Sequence, residues 1–248
     1  MFVLVRTELL KLVTTRAPWL LAVGAVLLIA VLAMQPVMQA GRGGKPSIGT
    51  AGAALGVLDA LGRGAFIALV LGVLMVTTEF RFQTVTGSLL EVPARLRLLT
   101  AKALTAALVG VSLAVLGAVL VIVVGVLAGA LQGDLVNVDI VLRVVGLVVT
   151  YPMYAALGVA VGGLLPRSQP LAVVLPVAWL LGLEALLLSS LLPTTALRWS
   201  LSGAVAALQN AGNVPQVLPV WLGAAILVGL VTTLLTSAAA RIARTDIT

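Results

Sequence analysis

Apolar residues run through this chain in blocks too long for strands and too uniform for the one-sided helices of a water-soluble core. A helix needs about 20 mainly apolar residues to cross roughly 30 Å of hydrocarbon. Six blocks qualify, at residues 17–38, 52–78, 103–131, 141–165, 171–192 and 218–240. The second is the least uniform, but Asp59 and Arg63 sit four apart and can pair on one helix face, which lets the helix begin near Gly52. Pro166-Arg167-Ser168-Gln169-Pro170 is a tight polar break between the fourth and fifth blocks. Strict alternation is missing, which argues against a barrel. The pattern predicts an all-α polytopic membrane protein with six transmembrane helices, forming a single transmembrane domain over residues 1–248.

Residues 3–16 follow a different rule. At 100° per residue Val5, Leu9, Leu10, Leu12 and Val13 share one side, while Thr7, Glu8, Lys11, Thr14 and Thr15 share the other. Such a helix lies in the interface plane. The apolar run that follows is too long for the core of a cleavable signal peptide.

Composition agrees with the pattern. The chain is 61% hydrophobic and 9% charged, whereas a soluble domain carries about a quarter charged residues. In lipid, backbone groups must be paired within helices while side chains can be apolar all round. With six spans both termini share one side. Lys and Arg then divide ten (Arg6, Lys11, Arg16, Arg81, Arg95, Arg97, Lys102, Arg167, Arg241, Arg244) to five (Arg42, Lys45, Arg63, Arg143, Arg198). The larger share marks the cytoplasmic face, which predicts that both termini are cytoplasmic. The high pI comes from charge dispersed along the chain, which does not point to nucleic acid.

The absences exclude several chemistries. There is no cysteine and no histidine, which removes disulfides, thiol nucleophiles and the usual metal sites; no metal site and no catalytic residue is expected. Without His there is no Ser-His dyad, and no pair of intramembrane Asp residues can share a proton. The glycine-rich stretch 41–47 is not a phosphate cradle, because Pro46 follows Gly44-Lys45 where Ser or Thr is needed and Gln39 stands where the first Gly belongs. Glu184 alone lies well inside a span. It either binds a cationic substrate or a proton, or accepts hydrogen bonds from a neighbouring helix. Arg143 and Asp139, four apart near one end of the fourth span, are expected to pair.

The loop between the second and third spans carries the strongest signal. It leaves the membrane at Thr78-Glu79-Phe80-Arg81, continues through an apolar piece with Leu89, Leu90 and Val92, breaks at Pro93 and returns through Arg95, Arg97 and Lys102. The apolar piece needs a surface to cover it, either a partner protein or the headgroup layer. Glu79, Phe80, Arg81, Thr84, Val85, Leu89, Leu90, Pro93, Arg95, Ala101 and Lys102 together resemble the loop pattern of the permease subunits of type-two ABC exporters, with Gln83 where that family usually has glycine. Glu8-Leu9-Leu10-Lys11-Leu12 with Thr15-Arg16 is similar to that family's interfacial helix, and residues 193–208 to its outer re-entrant hairpin.

The resemblance implies a dimer of six-span subunits, this chain with an identical or related permease, above two copies of a separate ATPase subunit. It further implies a coupling helix at about 83–93 that docks on the ATPase. Glu79, Arg81, Thr84, Leu89, Leu90, Pro93 and Arg95 would transmit ATPase motion, and Glu8, Lys11 and Arg16 would belong to the interfacial helix. ATP and Mg would be bound by the partner, with no cofactor in this chain. The substrate would be hydrophobic or amphipathic: a drug, an antibiotic, a peptide or a lipid. Two other readings stay open: a proton-coupled secondary transporter using Glu184, and a non-transporting immunity or assembly protein.

Overall fold

The computed structural model describes residues 1–82, 95–129, 138–191, 194–209 and 217–244. Helix α1 (Phe2–Thr14) is followed by α2 (Arg16–Gln39), α3 (Ala51–Gly64), α4 (Phe66–Arg81), α5 (Arg95–Leu127) and α6 (Val138–Leu164). Then come α7 (Gln169–Ala178), a wide turn over Trp179–Leu183, α8 (Glu184–Leu191), a 3-10 turn over Thr194–Trp199, α9 (Leu201–Leu208) and α10 (Val220–Arg244).

Among the described residues, five helical stretches are long and apolar enough to cross a membrane: Trp19–Gln39, Gly52–Arg81, Leu96–Leu127, Ile140–Leu164 and Val220–Arg244. The segment expected as a fifth span, 171–192, is not one continuous helix. Gly182 sits at φ 144°, a conformation that L side chains rarely adopt, and it splits the segment into α7 and α8. The helix containing the second span also bends, at Ala65 between α3 and α4. There the Ala65 N–H donates to Gly62 O instead of to the carbonyl four residues back. The Leu61 carbonyl, which that N–H would otherwise have reached, accepts instead from the buried Tyr151 hydroxyl at 2.8 Å. Tyr151→Phe is expected to lower stability by about 1 kcal/mol, read as a fall in the thermal midpoint of detergent-purified protein; an unchanged midpoint would show that the bend does not need this donor.

Helix α6 is the centre of the bundle, packed against α4, α5 and α10. Its crossing with α4 is set by glycine. A Cβ on Gly72 would lie 2.0 Å from Ala155 O, one on Gly158 2.0 Å from Leu69 O and one on Gly162 2.9 Å from Val73 O. The backbones touch because nothing stands between them. Gly125 and Gly129 do not form a comparable pair on one helix, since α5 ends at Leu127 and Gly129 turns the chain at φ 70°.

The ends of the bundle can be told apart by contacts. A Cβ on Gly163 would meet Ala238 and Leu99, so the last turns of α6 and α10 lie beside the first turns of α5. Arg81 donates to Gln169 Oε1 at 3.3 Å, which brings the start of α7 to that same end. At the opposite end a Cβ on Gly146 would meet Leu208 O, and one on Gly223 would meet Ala204 O. Short α9 is wedged there between the start of α6 and the start of α10, with Gly203 to Leu208 all buried.

Candidate functional site

Helix α1 sets one acid among the apolar residues it turns toward protein. Glu8 is its buried residue, with Leu4, Val5, Leu9 and Leu12 half-buried on the same side, while Phe2, Val3, Leu10 and Val13 are exposed. Thr7, Lys11, Thr14 and Thr15, expected on the polar side, are exposed as well. The helix meets α2 at Thr15, whose extended backbone makes the corner, and the Trp19 indole N–H satisfies Val13 O at 3.1 Å across it.

What Glu8 faces is a four-residue charge cluster. Lys102, in the second turn and beyond of α5, lies 2.6 Å from Glu8 and 2.7 Å from Glu79. Lys11 lies 2.9 Å from Glu8 and 3.3 Å from Glu79. The Lys102 side chain is 3% exposed and that of Glu8 6%, whereas Lys11 is half exposed at 50%. Two lysines and two carboxylates balance, which is the condition for keeping charges out of water. The cluster joins three elements far apart in sequence: α1, the end of α4 and the start of α5.

Burial alone would raise the Glu8 carboxyl, but Lys102 first and Lys11 second hold it below its ordinary value. For Lys11, burial works to lower the ammonium, and the hydrogen bond to Glu8 and the charge of Glu79 hold it above its ordinary value. Ionised Glu8 therefore adds stability that is complete above about pH 4.5 and is lost as the pH falls through its lowered value. Protonated Lys11 adds stability present below pH 10.5 and lost as the pH rises through its raised value.

The other expected site residues are placed as follows. Arg81 is exposed at the end of α4, bonded to Gln169, with its guanidinium 5.8 Å from the Phe82 ring centre. Thr84, Leu89, Leu90 and Pro93, and with them the coupling helix expected at 83–93, lie outside the described residues. Arg95 opens α5 and Arg16 opens α2; their side chains lie outside the description. Glu184 is 2% exposed, and both its carboxylate oxygens accept from the Ser202 N–H, at 3.0 and 3.3 Å. It thus sits on the N-terminus of α9, beside the Ser200 cap whose Oγ accepts from the Gly203 N–H at 3.2 Å. A carboxylate there meets free backbone N–H groups and the positive end of the helix dipole.

One expected pair is replaced. Asp59 pairs with Arg143 from α6 rather than with Arg63, and Arg63 donates to Gln35 Oε1 at 3.4 Å. The reason is burial. Arg143 is 7% exposed and requires a counter-charge, whereas exposed pairs four apart on a helix gain only a few tenths of a kcal/mol. The side chain of Asp139, the partner expected for Arg143, lies outside the description.

Lys102 is the residue whose role the sequence concealed. Its position just before the apolar block reads as a flanking charge, but α5 begins at Arg95 and carries it inside the helix. The usable signal was on its partners. Glu8 and Glu79 are single acids at helix positions next to a membrane, and each needs a cation.

Five long apolar helices around a glycine-packed centre define a polytopic helical membrane protein. The sequence model of a family described as an ABC-2 family transporter protein matches residues 4–183, and the chain belongs to that family. No curated protein and no solved structure matches it. The match takes in the whole charge cluster and stops one residue before Glu184.

Proposed function

We propose that this chain is the membrane-spanning permease subunit of an ATP-driven exporter, moving a hydrophobic or amphipathic substrate with ATP and Mg bound by a separate subunit. The observation that carries the reading is the charge cluster. In sequence, residues 83–94 separate the end of α4 from the start of α5, and Lys102 ties those two helix ends to each other and to α1. A subunit that pulls on the 83–94 loop would move all three together. The exposed Phe2, Val3, Leu10 and Val13 of α1 would rest in the cytoplasmic interface, and the exposed stripe of Leu20, Val23, Leu27, Val31, Met34 and Met38 on α2 would face lipid or a second permease.

Six crossings are the topology we favour. Gln169 lies at the α1 end and α9 at the other, so the chain travels between them through α7 and α8. Over 169–191 a helix rises about 35 Å, enough for a kinked span. An even number puts both termini on one face, the cytoplasmic one by the distribution of Lys and Arg.

The rival reading, a proton-driven carrier using Glu184, has less support because that carboxylate is occupied by the Ser202 N–H. We read it as a packing contact. The test is transport in inverted membrane vesicles from cells co-expressing the chain with an ATP-binding partner. Arg81→Glu should cut ATP-driven transport roughly tenfold while membrane insertion stays normal. Undiminished transport in that variant would remove Arg81 from coupling. Transport driven by a pH gradient without nucleotide, and abolished by Glu184→Gln, would establish the carrier instead; no transport under either drive would favour an immunity or assembly role.

A further inference from the structure

At the end of the bundle away from the charge cluster, α2, α3, α6 and α9 line an open cavity of about 960 Å³. Its lining is graded. Gln35 and Gln39 line it near the C-terminal end of α2, with Lys45 and Arg63 beside them. Leu28 and Leu32 lie about 10 and 5 Å deeper along α2 than Gln35, and Phe66 joins them. The cavity is polar and basic at one end and apolar toward the membrane centre.

Its charges do not balance. Among the described residues that line it, Lys45, Arg63 and Arg143 are cationic and Asp59 alone is anionic. Asp59 is engaged by the buried Arg143. Lys45 and Arg63 are exposed, and each donates to a neutral amide oxygen, Lys45 to Gln39 and Arg63 to Gln35. An amide accepts a hydrogen bond but cancels no charge. In the charge cluster at the far end, by contrast, two lysines meet two carboxylates and the charges cancel.

We propose that this cavity binds an acidic amphiphile, a molecule with a phosphate or carboxylate head and a hydrocarbon tail. The head lies between Lys45 and Arg63, and the tail runs along Leu28, Leu32 and Phe66. A cation beside an apolar wall matches the two ends of such a molecule, and the volume suits one ligand head with part of its chain. The proposal depends on membrane placement and not on ATP coupling, so it can fail while the permease reading stands, and the reverse.

The head can come from a two-chain bilayer phospholipid or from a single-chain acid, and spin-labelled lipids separate these. The full chain, purified and placed in phosphatidylcholine bilayers, is titrated with spin-labelled phosphatidylglycerol, stearate or phosphatidylcholine, and the immobilised fraction is read by EPR. Phosphatidylglycerol or stearate should be immobilised in preference to phosphatidylcholine, and whichever acid is favoured identifies the head. Lys45→Gln and Arg63→Gln should each weaken that preference about fivefold, and Arg63→Lys should largely restore it. Arg42→Gln, on the same loop as Lys45 but outside the cavity lining, should leave it unchanged. Should Arg63→Gln fail to fold, Lys45→Gln carries the test alone, since Lys45 lies in a turn between helices. Equal immobilisation of all three labels, or an equal loss on Arg42→Gln, would overturn the proposal.

Discussion

Replacing Lys102 by methionine should destabilise the protein by about 3–5 kcal/mol, because it removes the buried cation that lies against both Glu8 and Glu79. The measurement is the thermal midpoint of detergent-purified protein, expected to fall by roughly 10 °C. Lys11→Met should cost about 1 kcal/mol or less, since its side chain is 50% exposed and water already screens it. The combined variant Glu8→Gln, Glu79→Gln, Lys102→Met should recover most of the loss, because the penalty comes from the uncompensated carboxylates and not from the missing lysine. The pH response should also weaken. In the native protein ionised Glu8 adds stability that is lost on acidification. In Lys102→Met, Glu8 loses the cation that does most to hold its carboxyl down, so this loss on acidification should shrink. A Lys102→Met protein no weaker than Lys11→Met, or one that weakens on acidification as much as the native protein does, would show that the cluster is not the structural tie described here.

The limits of the sequence follow from what each kind of order depends on. Membrane helices were legible because hydrocarbon thickness fixes a length and demands apolar side chains over it: α2, α5, α6 and α10 start or end within a few residues of their expected blocks, apart from the longer lead of α5 back to Arg95. The break at Gly182 was not legible. One glycine inside an apolar run is compatible with a straight helix, and only the neighbouring backbone decides that it adopts φ 144°. Charge pairing failed for a related reason. Spacing along one helix identifies residues that can meet, so Asp59 with Arg63 was a sound expectation; which cation needs the acid most depends on burial, and Arg143 on α6 is the buried one. Glu79 and Glu8 were both legible as polar positions next to a span. That they meet on one lysine is a property of three helices packed together, which no local pattern encodes.

Gly72→Ala and Gly158→Ala should each cost about 1–3 kcal/mol, although alanine is ordinarily the better helix former by about 1 kcal/mol. A Cβ at either position would stand 2.0 Å from a carbonyl oxygen of the facing helix, and a backbone oxygen cannot turn aside as a side chain can. The helices must separate instead. Gly24→Ala and Gly229→Ala supply the control, because a Cβ there meets nothing within 4 Å, and these variants should be neutral or slightly stabilised. The double variant Gly72→Ala, Gly158→Ala should cost less than the sum of its parts, since the first methyl already opens the space the second needs. Thermal midpoints of the five proteins against wild type decide the matter; Gly72→Ala or Gly158→Ala behaving like Gly24→Ala would mean that the crossing has slack. With no slack, α4 and α6 are expected to move as one body. On the proposed coupling, a pull on the end of α4 at Glu79 would pass through the Gly72 and Gly158 contacts into α6, and along α6 to the far end, where Arg143 pairs with Asp59 of α3. A loosened crossing should therefore weaken transmission along this route even where both helices still insert and fold.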